Sequence, residues 1–205
     1  MSGVPTHEHA RCGVQRRGIV LGGLASLAGL VPRRSMALGG ARTPMEADPS
    51  FWSQPRVVKV RNVDTRQQGE FVYWRDGRYV MDEYYALCAL GLDRHAMKAV
   101  QIAPQVFDLM FATQAWFFGA ERKRTMHELT SMYRTPDTNK AVGGSPRSQH
   151  ILGRAADGRL QGVSVGVYAA MLMSFKAGGV GLYANHVHWD VGRSPEFWRG
   201  KKKEA

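Results

Sequence analysis

The chain predicts a single α+β domain: a small antiparallel sheet with helices packed on it. Three observations carry this reading. With 205 residues, 44% of them hydrophobic, the chain can bury one good-sized core. Alternating runs at 56–60, 70–75 and 187–191 have the period of half-buried strands. Between them, Val106, Phe107, Leu109, Met110, Ala112 and Trp116 recur at helical spacing.

Taken in order, Arg56–Val60 and Glu70–Arg75 read as strands, and Asp76-Gly77 supplies a tight turn into Arg78-Tyr79-Val80. The pattern turns helical from Asp82 to Leu90, and a second short helix is expected from Asp93 to about Val100. Pro104–Phe118 is a longer helix with one buried face, and Met126–Met132 an interior strand. Thr138–Arg147, with its Gly and Ser, is expected as a loop. Val163–Phe175 is a helix with a glycine cap expected at Gly178-Gly179. Val180–Tyr183 and Val187–Val191 close the sheet as a pair of strands joined by a short turn. No internal repeat or low-complexity tract interrupts the series.

The first 37 residues stand outside this scheme. Arg16-Arg17 precedes an uncharged, Gly- and Ala-rich apolar run to Val31, too short to span a bilayer comfortably, and Ser35-Met36-Ala37 offers small residues for a signal peptidase. Residues 1–37 therefore read as a signal peptide of twin-arginine type, directing the protein to the periplasm with no stable membrane anchor after cleavage. Residues 38–55 read as a linker, which leaves 56–200 as the single folded domain. Cys12 falls in the leader, so Cys88 is alone in the mature chain; in its apolar run it reads as an inert buried thiol.

The 28 basic and 17 acidic side chains give a net charge of +11, and residues 1–37 hold five Arg and one Glu, so the remainder carries +7. That charge suits a polyanionic surface such as cell wall. No stripe of Lys and Arg interleaves with aromatics, and Lys201-Lys202-Lys203 reads as a solvated tail, so nucleic acid is not an expected partner.

The chemistry lies in the second half. Ser148, His150, Gly153, Ala155 and Asp157 fall on the pattern S-x-H-x-x-G-x-A-x-D, and His186-Val187-His188 follows. Zinc sites of hydrolases commonly take three ligands from His, Asp, Glu and Cys and leave a fourth position for water. His150 and Asp157 could be aimed into one cleft from two arms of a turn or from neighbouring strands. On a strand, His186 and His188 share a face, so one can bind metal while the other meets substrate or water. Arg134 offers a guanidinium of the kind that steadies an oxyanion near a scissile carbonyl.

Tyr133–Asn139, Ser148–Asp157, Gly178–Tyr183 and Val187–Arg193, with Tyr73–Tyr79 upstream, match in order the blocks of a known family. Across roughly residues 56–198 the chain resembles the murein endopeptidase K type, a branch of the D-alanyl-D-alanine metallopeptidases whose fold is shared by the hedgehog signalling domain. The resemblance implies a zinc ion held by His150, Asp157 and His188, Arg134 as the oxyanion or substrate arginine, and Ser148 as a supporting hydrogen-bonding residue. It also implies peptidoglycan stem peptides or their cross-links as substrate. Many relatives place an acid three residues before the last histidine; here Asn185 stands there. His186 becomes the candidate proton acceptor, and Asp190 a candidate partner orienting a ligand histidine. A second reading, favoured by Asn185, is a zinc-containing module that grips wall peptide without cutting it. Which bond is cut and the oligomeric state are not fixed by the sequence.

Overall fold

In the computed structural model, residues 49–200 are described; the signal peptide expected over 1–37 lies outside the described residues, as does most of the expected linker. The part of the linker that is described is structured. Pro49–Trp52 forms a 3-10 turn, and Phe51 and Trp52 pack at a tilt against Phe111 with ring centroids 5.0 and 6.0 Å away. Two aromatics next to an apolar helix face bury more surface than a linker would leave in water.

The sheet is larger than expected and mixed. Its eight strands are β1 (Arg56–Asn62), β2 (Gln68–Arg75), β3 (Arg78–Tyr79), β4 (His127–Ser131), β5 (Ala155–Leu160), β6 (Gly179–Leu182), β7 (Val187–Asp190) and β8 (Glu196–Arg199). They lie in the order β3-β2-β1-β4-β5-β7-β6-β8. Five neighbouring pairs run antiparallel, whereas β1 with β4 and β6 with β8 run parallel. The parallel pair β1 and β4 is bridged by the helices α1 (Met81–Leu90) and α2 (Pro104–Glu121), the long crossover such pairing needs. At the β2–β3 turn Asp76 and Gly77 both adopt positive φ, 53° and 76°, as a two-residue I′ hairpin requires.

Three local expectations give way to side-chain hydrogen bonding or packing. Asp93–Val100 is not a helix. The Asp93 carboxylate caps the His95 and Ala96 amides at 3.0 and 3.2 Å, but Met97 turns left-handed at φ 50° and the backbone doubles back to pair Lys98 with Asp93, so a tight turn forms in place of helix. Conversely, the expected loop from Thr138 begins inside a short helix α3 (Pro136–Ala141), capped by the Thr135 hydroxyl with Pro136 in the first turn. The last helix α4 (Val165–Ser174) ends before Gly178, with Lys176 taking the left-handed conformation at φ 51°. Gly178 and Gly179 instead let β6 press against Asp190, whose oxygens would lie 2.0 and 2.7 Å from side chains added there.

Alternation along the strands separates core from site. Ala156 and Leu160 of β5 and Val187 and Trp189 of β7 belong to the core, packed under α2 and α4 with Phe107, Met110, Tyr168 and Leu172. Asp157, His188 and Asp190 therefore project from the other face. Cys88 is buried in the same core; its thiol pKa is raised by burial and its sulfur accepts from the Ile102 amide, which fits an unreactive role. No described helix is long and apolar enough to cross a membrane.

His127 is a core histidine between α2 and α4. Its Nε2 donates to the Met110 carbonyl at 3.0 Å and its Nδ1 accepts from the Tyr168 hydroxyl at 3.2 Å. Burial pushes its pKa down from 6.5 to about 4. The unfolded chain thus takes up this proton first. The stability His127 contributes is complete above about pH 6.5 and is lost as pH falls toward 4, about 3 kcal/mol in all. Urea unfolding between pH 7.5 and 4.5 should show wild type losing stability more steeply than His127→Gln. Parallel losses would contradict this.

Candidate metal centre

Asp157 on β5 and His188 on β7 are direct cross-strand partners, so the ladder itself sets carboxylate against imidazole. His150 comes from the tight turn that precedes β5. Here His150 Nε2 lies 3.2 Å from Asp157 Oδ1 and 3.1 Å from His188 Nδ1, while His188 Nδ1 lies 2.8 Å from Asp157 Oδ1. All three residues are buried.

The outer hydrogen bonds decide which atoms face inward. His150 Nδ1 is 2.5 Å from the Met132 carbonyl, which can only accept, so the proton sits on Nδ1 and Nε2 presents a lone pair. His188 Nε2 is 3.2 Å from Asp190 Oδ2, so in the tautomer with its proton on Nε2 the ring turns its Nδ1 lone pair inward, 2.8 Å from Asp157 Oδ1. Three electron-rich atoms therefore converge, and the positive charge among them has to be a metal ion or a proton. Tetrahedral zinc with bonds of about 2.0–2.1 Å spaces its donors by about 3.3 Å, close to the triangle found here. The residues fit the ion.

Charge in the cluster follows the same logic. Burial works to raise the Asp157 pKa, but His150 and His188 hold it well below the usual carboxylate range. Burial lowers that of His150, despite the neighbouring carboxylate. For His188 burial also opposes protonation, yet its bonds to Asp157 and Asp190 prevail and raise its pKa. Without metal, His188 is thus where a proton takes the ion's place.

Each ligand is held from behind. Gly153 closes the His150 turn at φ +63°, and a side chain there would meet the Gln101 carbonyl oxygen at 2.7 Å. Ser148 Oγ accepts from the His150 amide at 3.3 Å, steadying the same turn. Asp190 is bonded by the Gly179 amide at 3.1 Å and paired with Arg193 at 2.9 Å, which fixes its second oxygen on His188. Trp198 of β8 packs beside the His188 ring at 5.2 Å.

Arg134 lies beside the cluster. Its Nη2 donates to Asp157 Oδ2 and its Nε to Ser131 Oγ at 2.9 Å. It therefore holds the ligand carboxylate, and Nη1 has no protein partner among the described residues. Asp93, not singled out from the sequence, anchors this arginine: its Oδ2 accepts from the Thr135 amide and hydroxyl at 2.7 and 2.9 Å. These bonds hold its pKa down although burial works to raise it. The signal available was an Asp at the mouth of a turn and a Thr-Pro cap, each ordinary alone.

The cluster opens on a cleft of about 470 Å³ lined by Asp157, Arg134, Asn185 and His186. His186 is half-buried in the turn before β7 and is not part of the triangle. Its ring stacks on Tyr183, centroids 4.5 Å apart and 6° from parallel. Asn185 Oδ1 lies 2.9 Å from His186 Nδ1, so the amide oxygen accepts from Nδ1 and the lone pair is left on Nε2. Burial lowers the His186 pKa, which keeps the ring neutral at pH 7.

Two buried imidazoles converging on a carboxylate that lines a solvent cleft make up the site type of metal-dependent hydrolases. Comparison with known proteins is specific. The chain belongs to the family described as peptidoglycan L,D-endopeptidase MepK, whose model matches residues 51–197. It is 30% identical over 186 residues to the peptidoglycan L,D-endopeptidase MepK of Escherichia coli (strain K12), covering 87% of this chain and 93% of that protein. It is 27% identical over 195 residues to the probable peptidoglycan L,D-endopeptidase MepK of Haemophilus influenzae, covering 91% and 96%. The family read from the ordered motif blocks is the one found.

Because a proton on His188 competes with the ion, metal affinity should fall as pH drops, about tenfold per unit below the raised pKa of that histidine. Asp190→Asn removes the charge that orients His188 and should weaken zinc binding by about 10–100-fold in chelator competition at pH 7. Unchanged affinity would show that Asp190 does not act on the site.

Proposed function

We propose that this protein is a zinc-dependent peptidase of peptidoglycan, hydrolysing L,D cross-links between stem peptides in the periplasm. The observation that carries the reading is the buried triangle of inward lone pairs opening on the cleft, in a chain of the MepK family. The paired Arg16-Arg17, the apolar run and Ser35-Met36-Ala37 support export by the twin-arginine route.

His150 Nε2, Asp157 Oδ1 and His188 Nδ1 would hold the zinc. When bound there, zinc supplies Lewis acidity, polarising a carbonyl and bringing the pKa of water toward neutrality. Arg134 keeps Asp157 ionised through Oδ2, and its unpaired Nη1 is available to the oxygen that gains charge as the carbonyl is attacked. His186 takes the proton from the attacking water at Nε2 and returns it to the departing amine. Asn185 and Tyr183 fix that ring by hydrogen bond and stacking. Asn185 was the feature favouring a non-catalytic wall-binding module. Its contact with His186 Nδ1 gives it a place in proton transfer instead, and so supports the enzyme.

Purified peptidoglycan digested with the zinc-loaded protein and read by muropeptide mass spectrometry should lose L,D cross-linked dimers and gain monomers. Chelated protein and His188→Ala should do neither, and His188→Ala should also lose its zinc. His186→Ala should keep zinc and lose about 10²–10⁴-fold in rate. Dimers surviving the zinc-loaded enzyme, or His186→Ala turning over at the wild-type rate, would overturn the respective assignments.

A further inference from the structure

The last strand, β8, reaches the metal centre across a neighbour that puts no side chain in its way. In the ladder, Gly181 of β6 is paired with His188 of β7 on one side and with Trp198 of β8 on the other. All three therefore belong to the same face of the sheet. Side chains on β7 and β8 stand about 10 Å apart, two strand spacings, and a side chain on β6 would separate them. Glycine at 179 and 181 removes that barrier. A side chain added at Gly181 would meet the indole at 2.6 Å and one at Gly179 would meet it at 2.9 Å, so the Trp198 ring lies across both.

Laid there, the indole touches three groups of the site. Its centroid is 5.2 Å from that of the His188 ring and 5.3 Å from the Arg193 guanidinium, which pairs with Asp190 at 2.9 Å. Its Nε1 donates to the Tyr183 hydroxyl at 3.3 Å, and Tyr183 is the ring on which His186 stacks. Gly200, just past β8, donates its amide to the Leu182 carbonyl at 2.9 Å and leaves room for the Tyr183 ring, which a side chain there would strike at 2.0 Å. One residue thus contacts a ligand histidine directly and, through one tyrosine, the histidine that lines the cleft. Neither Trp198 nor Tyr183 lines that cleft itself.

On the reading of the protein as a zinc peptidase with His186 as proton carrier, we infer that Trp198 is a positioning residue that fixes His188 and His186 relative to each other. Packing against His188 keeps that ring on Asp190. The hydrogen bond to Tyr183 keeps the stacked His186 aimed at the cleft. Chemistry separates the two contacts: a phenyl ring in place of the indole retains the first and, having no N–H, cannot make the second.

Trp198→Phe, Trp198→Ala and Tyr183→Phe are compared in the zinc-loaded full chain. The readouts are zinc affinity by chelator competition, steady-state hydrolysis of cross-linked muropeptide dimers, and the ring C–H signals of His186 in NMR. Trp198→Phe should keep zinc affinity and KM and lose about fivefold in kcat, the worth of one neutral hydrogen bond. Tyr183→Phe should lose as much, and the double variant no more. In each, the His186 signals, which stacking on Tyr183 shifts upfield, should move toward those of free histidine. Trp198→Ala should also weaken zinc by about tenfold. Gly181→Ala should weaken it only while Trp198 is present. Unmoved His186 signals in Trp198→Phe, additive losses in the double variant, or unchanged zinc affinity in Trp198→Ala would overturn the assignment. Moved signals and weakened zinc in a protein that leaves cross-links uncut would keep it and sink the peptidase reading. Cutting with none of these effects would do the reverse.

Discussion

Three acceptor atoms forced to face one another, without a hydrogen between them, are the constraint around which this protein is arranged. His150 Nε2, Asp157 Oδ1 and His188 Nδ1 sit within 3.2 Å of each other in a buried pocket. In a low-dielectric setting such a cluster is costly unless a positive charge fills it. The cost falls on the fold, and the fold is organised to bear it. The β5–β7 ladder fixes two of the three groups as cross-strand neighbours. The third depends on a turn whose geometry Gly153 permits. The outward nitrogens have acceptors in the Met132 carbonyl and in Asp190, which lets both rings keep a proton outside and a lone pair toward the centre.

Around that centre runs a layer of groups that act by holding others. Arg134 ties the second oxygen of Asp157, Asp93 ties Thr135 next to Arg134, and Asp190 is itself seated by Gly179 and Arg193. Each buried carboxylate answers a specific donor, which is the condition under which a buried charge is tolerated.

The metal cluster was legible because its residues form a spaced pattern of rare types, and alternation alone places His188 and Asp190 opposite Val187 and Trp189. Less visible were features decided by distant partners. The parallel pairings of β1 with β4 and β6 with β8 depend on crossovers that leave no local mark, and β8 is only four residues long. Asp93 looked like the start of a helix because its side chain does cap the following amides, while the reversal at Met97 that ends the turn has no mark in the sequence. Gly178-Gly179 looked like a helix cap, since nothing near them in sequence announces the approach of Asp190. Arg134 was found, but its bond to Asp157 Oδ2 has no local mark in the sequence.

The most direct test of the central claim is anomalous diffraction at the zinc edge from crystals of the purified protein. The account predicts one peak at bonding distance, about 2.0–2.2 Å, from His150 Nε2, Asp157 Oδ1 and His188 Nδ1, with a fourth position facing the cleft. A triangle closed by a proton under saturating zinc, or zinc bound through His186 in place of His188, would contradict it.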